Sequence, residues 1–126
     1  MANELILIIE DNEKNRKLCR DVLQVKGYRT IECETAEEGL KLAAEQSPAL
    51  ILMDIQLPGM DGITALKQLR ADPKTKNTRV IAITASAMTH NRQTMLAEGF
   101  DGYQTKPISL KGFLGEVERV LAEKKA

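Results

Sequence analysis

Residues 5–12 read LILIIEDN: five apolar side chains in an unbroken run, then two carboxylates and an asparagine. A strand covered on both faces reads as a continuous apolar run, whereas a half-exposed strand alternates, so Leu5–Ile9 is expected to be an inner strand of a parallel sheet. Residues 50–54, LILMD, repeat the pattern and again stop on an acid. In an open α/β sheet the carboxyl ends of the strands share one rim, and ligands bind in the crevice outside it. The two runs therefore decide the fold and point to the site together.

Working outward from them, Leu18, Cys19, Val22 and Leu23 mark one face of a helix that Gly27 closes. Arg29 to Glu34 alternates, as a half-exposed edge strand does. Thr35 opens a second helix with Glu38 three residues on, a capping-box pattern, and Ser47 and Pro48 end it. Pro58, Gly59, Asp61 and Gly62 form a loop before a third helix marked by Ile63, Leu66 and Leu69. A polar connector, Asp72 to Arg79, leads to a fourth strand, Val80 to Thr84, and a short helix from Arg92 to Glu98 ends at Gly99. A short fifth strand, Tyr103 to Thr105, precedes Lys106 and Pro107. Ser109 is the N-cap candidate of a last helix whose apolar face is Leu110, Phe113, Leu114, Val117 and Leu121. Glu116, Glu118, Arg119, Glu123, Lys124 and Lys125 are assigned to its wet side and end. Five strand–helix units in 126 residues predict one doubly wound, five-stranded parallel α/β domain spanning residues 1–126.

Composition narrows the function. Eighteen basic residues balance eighteen acidic ones, so no basic field draws nucleic acid or anionic lipid. The longest apolar runs have five residues, against the roughly 20 of a membrane span, and no signal peptide is visible. Cys19 and Cys33 are too few for a disulfide framework, so a cytoplasmic protein with reduced thiols is expected.

Read along the rim, Glu10 and Asp11 follow the first strand, Asp54 ends the third, Thr84 the fourth, and Lys106 the fifth. Three carboxylates cannot share one rim without a cation, and one lysine does not balance them. Hard oxygen donors with no His or Cys beside them suit magnesium, an ion that favours phosphate as a further ligand. A carboxylate can act as nucleophile toward phosphorus, and Asp54, flanked by the other groups, is the best placed to do so.

Glu10, Asp11, the segment MDIQLP at residues 53–58, Gly62, Thr84, and Lys106 with Pro107 resemble the receiver domains of two-component response regulators, in order and spacing over the whole chain. Within that CheY-like, flavodoxin-like superfamily the chain is most similar to single-domain regulators of the DivK type, and almost as similar to receivers of hybrid histidine kinases. The resemblance implies strand order 2-1-3-4-5 and a phosphoacceptor role for Asp54. Its donor would be a phosphohistidine on a sensor histidine kinase or a histidine phosphotransfer protein. It implies Mg2+ held by Asp11, Asp54 and the backbone carbonyl of Gln56, with Glu10 acting through a water. Lys106 would pair with Asp54 and then with a phosphoryl oxygen. Thr84 would move its hydroxyl toward another, and Tyr103 would turn inward into the space vacated. Gln56 and Ser86 would influence the attacking water, and the Lys106–Pro107 bond would be cis.

The expected function is thus a phosphorylation switch rather than an enzyme with its own substrate. It assists its own phosphorylation and dephosphorylation, and it presents a changed face of the fourth helix, fifth strand and fifth helix to a downstream protein or relays the phosphoryl group. No output domain, direct nucleic-acid contact or membrane contact is expected. The state is a monomer, with dimerisation on phosphorylation left open. Three alternatives share the pattern in part. A flavodoxin-like cofactor carrier should have a Ser-, Thr- and Gly-rich first loop, where this chain has Glu10 and Asp11. An aspartyl phosphatase should carry an acid where Gln56 stands, and a pseudo-receiver should lack part of the set. His90, between Thr89 and Asn91, is read as solvated.

Overall fold

The computed structural model describes residues 3–123. Five strands alternate with five helices: β1 (Leu5–Ile9), α1 (Glu13–Val25), β2 (Arg29–Cys33), α2 (Ala36–Gln46), β3 (Leu50–Asp54), α3 (Gly62–Ala71), β4 (Arg79–Thr84), α4 (Arg92–Glu98), β5 (Gly102–Thr105) and α5 (Leu110–Ala122). They form one parallel sheet in the order β2-β1-β3-β4-β5. The two inner apolar runs lie side by side, with Ile6 opposite Leu50 and Ile8 opposite Leu52.

The period of two along each strand sorts side chains onto two faces. Leu7, Ile9, Ile51, Met53, Val80 and Ala82 join a cluster completed by Ala43 of α2, Leu66 and Leu69 of α3, and Met95 of α4. Ile6, Ile8, Leu50, Leu52, Ile81 and Ile83 pack against Cys19 and Leu23 of α1 and Phe113, Val117 and Val120 of α5. Both faces are dry, so an alternating pattern would leave polar groups unpaired, and the continuous runs follow.

Helix starts are set by side-chain caps. Asn12 accepts the N–H of Asn15, Thr35 that of Glu38, Asp61 that of Thr64, and Asn91 that of Thr94. Ser109 stands at the N-cap of α5 but makes no side-chain cap bond.

The last helix follows the sequence reading at Phe113, Leu114, Val117 and Leu121, which all pack on the cluster of β1, β3 and β4, and departs from it at three positions. Leu110 is 53% exposed, while Val120 and the charged Glu116 are buried. The packed face is Phe113, Glu116, Val117 and Val120. Gly102 makes room for Glu116 and Val120: a Cβ there would lie 2.8 Å from Val120 Cγ2 and 2.9 Å from Glu116 Oε2. A residue without a side chain on β5 lets both join the packed face of α5. Glu116 is therefore not on the wet side, and Lys124 and Lys125 lie outside the described residues.

Candidate functional site

Extending the pairing of Ile8 with Leu52 by two residues puts Glu10 and Asp54 on one face at the ends of adjacent strands. Asp11 follows directly. One carboxylate oxygen from each of Glu10, Asp11 and Asp54 lies within 4.8 Å of the others. Glu10 and Asp54 are each 2% exposed, whereas Asp11 faces solvent. Lys106 reaches in from the end of β5, its Nζ 2.9 Å from Glu10 Oε1 and 3.0 Å from Asp54 Oδ2. Every acid and the lysine named from the sequence thus converge on one point.

Each group is held by its own backbone neighbourhood. Glu10 Oε2 accepts the N–H of Asn12, and Asp54 Oδ1 accepts the N–H of Gln56 at 2.9 Å. Because Asn12 caps α1, Asp11 is not spent on capping. Arg16 donates to the Glu10 backbone carbonyl at 2.9 Å and pairs with Glu32 on β2, so α1 ties the first acid to the edge strand. Gly62 brings the start of α3 against the Asp54 backbone, where a Cβ would stand 2.7 Å from the Asp54 carbonyl oxygen and 2.9 Å from Ile55 Cα. Lys106 donates its N–H to the Thr84 carbonyl, and the Lys106–Pro107 bond is cis.

Three carboxylates face one ammonium. Burial first, and then the bond to Asp54, push the Glu10 carboxyl up to about 7, against the opposing pull of Lys106. For Lys106 burial disfavours the ammonium, but the hydrogen bonds and charges of Glu10 and Asp54 outweigh it and hold its pKa above the ordinary lysine value.

Thr84 lies on the opposite pleat, fully buried, its hydroxyl accepting the N–H of Ser86 at 3.0 Å. His90, read as solvated, is half-buried, and its Nδ1 sits 3.4 Å from that hydroxyl. The loop after β4 folds back through a bond from His90 N–H to Ser86 C=O, a return that local polarity does not announce. Tyr103 stands in the inward pose, 7% exposed, in the cluster of Ala82, Met95 and Phe100. The expected inward turn has no outward starting pose in this structure. The sequence reading also missed Arg16, for which the only signal was its place one turn into α1 on the acid side.

The arrangement is similar to proteins already known. The response regulator receiver domain family matches residues 6–118. The polar-differentiation response regulator DivK of Brucella ovis is 41% identical over 118 residues, 94% of this chain and 96% of the relative. Among solved structures, a response regulator from Chloroflexus aurantiacus superposes with a TM-score of 0.90 at 26% identity, covering 96% of this chain and 99% of its own. The receiver domain of a sensor histidine kinase from Pseudomonas aeruginosa, solved with a magnesium ion in its active site cleft, gives 0.88 at 30% identity over 97% of this chain and all of its own. No helix among the described residues is long and apolar enough to cross a membrane.

Proposed function

Because the chain belongs to the response regulator receiver domain family, we propose that it is the phosphoryl-accepting switch of a two-component or phosphorelay pathway, with Asp54 as acceptor. The observation that carries this is the lodging of Asp54: one oxygen on the Lys106 ammonium, the other on the Gln56 N–H, in a buried cluster of acids at the strand ends. An Asp54 oxygen forms the new P–O bond as the P–N bond of a phosphohistidine breaks, and the electron pair returns to the imidazole nitrogen. Lys106 turns part of its charge from Glu10 and Asp54 to a phosphoryl oxygen. Thr84 gives up its bond with Ser86 to donate its hydroxyl to another, and the flank of α4, β5 and α5 carries the result to a protein partner.

The donor set fits magnesium. Three carboxylates lie within reach of one another, hard oxygens only, with the pKa of Glu10 raised by burial and by its bond to Asp54. Asp11, Asp54 and the Gln56 carbonyl would hold the ion, with Glu10 acting through a water. When bound it would neutralise charge on the transferring oxygens. The proposed partners are a sensor histidine kinase or a histidine phosphotransfer protein upstream and a protein target downstream, in the cytoplasm, with no direct nucleic-acid contact.

Mixing the protein with magnesium and acetyl phosphate tests the reading by intact mass. The expected result is one added phosphoryl group, sensitive to hydroxylamine and mapped to the peptide holding Asp54. No addition, or addition elsewhere, refutes it. A second measurement follows from the Glu10 proton. A nearby ion favours the charged carboxylate, so magnesium affinity should fall as pH drops through about 7 and level off above it. Titration calorimetry at several pH values checks this, and Glu10→Gln should flatten the slope.

A further inference from the structure

β5 is an edge strand of four residues, and an edge leaves N–H and C=O groups without a strand partner. At Tyr103 side chains take both. Glu116 Oε2 of α5 accepts the Tyr103 N–H at 2.7 Å, and Arg92 of α4 donates to the Tyr103 C=O at 3.4 Å. Arg92 also donates to Glu116 Oε2 at 3.1 Å, and its Cζ lies 5.4 Å from the centroid of the Tyr103 ring. Arg119 donates to the same oxygen at 3.0 Å and to Glu116 Oε1 at 3.2 Å. The space for the carboxylate exists because residue 102 is glycine. Burial works to raise the Glu116 pKa, but the bonds from Arg119 and Tyr103 and the charge of Arg92 outweigh it, so the group stays ionised.

The ring that this assembly covers is not at ease. Tyr103 is buried, yet its hydroxyl has no hydrogen-bond partner among the described residues. Turning the ring outward would bring this hydroxyl into bulk water at the loss of apolar burial. Two poses of similar free energy are the condition for a bistable element, and a cation against the ring favours the inward one.

We infer that Arg92 and Glu116 are positioning residues that clasp α4 to α5 across β5 and set the balance between inward and outward Tyr103. The inference rests on the reading of the α4–β5–α5 flank as the signalling surface. Glu116 fixes the guanidinium, the guanidinium covers the ring, and the pair occupies the edge at Tyr103 as a neighbouring strand would. The set-point of the switch then depends on two residues that touch neither the acid cluster nor Thr84.

The chain has two tyrosines and no tryptophan, so fluorotyrosine labelling gives two fluorine resonances, and Tyr28→Phe assigns them. In the full chain without a phosphoryl donor, Arg92→Met should raise the outward population of Tyr103 about tenfold. This is read as a shifted or exchange-broadened line with a larger solvent isotope shift. Glu116→Gln, which keeps an acceptor for the Tyr103 N–H, should move the same line in the same direction, and Arg92→Lys should restore part of the effect. Arg119→Met takes a cation from Glu116 but none from the ring, so it should leave the line in place. An unmoved Tyr103 line in Arg92→Met, with Tyr28 still reporting a folded chain, overturns the inference. Equal shifts in Arg92→Met and Arg119→Met also overturn it, because the effect would then be one of general charge. Failure of acetyl phosphate to label Asp54 overturns the acceptor reading instead and leaves these lines untouched.

Discussion

Lys106→Met is expected to cost about 3 kcal/mol of stability at pH 8 without magnesium, and to slow labelling of Asp54 by acetyl phosphate roughly a hundredfold. Its ammonium touches Glu10 at 2.9 Å and Asp54 at 3.0 Å, both almost completely buried, and among the described residues no other cation lies within salt-bridge distance of either. Methionine keeps the unbranched stem and removes the charge, so two carboxylates are left facing each other. Their response is to hold the proton more tightly, raising further a Glu10 pKa that already stands at about 7. A carboxyl whose folded pKa is raised contributes stability that is intact below its unfolded pKa and lost as pH rises through the folded one. The deficit should therefore be small near pH 5 and grow toward pH 8, with magnesium returning part of it by binding the folded state. Urea titrations at the two pH values, with and without magnesium, read the pattern. A deficit that is largest at low pH would contradict it.

Gly62→Ala is expected to be as costly for a different reason. The added methyl would sit 2.7 Å from the Asp54 carbonyl oxygen, 2.9 Å from Ile55 Cα and 3.0 Å from Met53 Cγ. Two of those atoms are backbone, so no rotamer relieves the contact, and α3 must move away from the end of β3. Overpacking of this kind costs about 1–3 kcal/mol, and here the shift falls on the residue that positions the acceptor. Gly62 also donates its N–H to the Ile55 carbonyl, a bond that the displacement stretches. The expected result is a loss of about 3 kcal/mol in urea, with labelling of Asp54 reduced more than tenfold under conditions where the variant is still folded. Wild-type labelling in the folded variant would show that α3 does not set the acceptor.

Much of this was legible in the residues themselves. Leu5–Ile9 and Leu50–Met53 are continuous apolar runs because both faces of their strands are dry, and each ends on an acid because the rim is where the apolar layers stop. Those are local facts with local signals. Arg29–Cys33 alternates because an edge strand is wetter, again a local cause.

What escaped was set by contacts distant in sequence. Glu116 looks like one more charge on the wet side of a helix until Gly102 opens a place for it and Arg92, 24 residues away, pairs with it. Leu110 fits the helical period of α5, yet it stands at the start of the helix, exposed, and the packing on the sheet begins at Phe113. His90 has polar neighbours in the chain, but the turn after β4 carries its ring back beside Thr84. In each case hydropathy describes the residue and the packing partner decides its surroundings.

The two-sided pleat has a further consequence. Glu10 and Asp54 belong to the layer of α1 and α5, and Thr84 and Tyr103 to the layer of α2, α3 and α4, with only a single thickness of strand between them. A change on the outer face of α4 therefore leaves the acid layer in place, whereas α5 belongs to that layer and also reaches Tyr103 through Glu116.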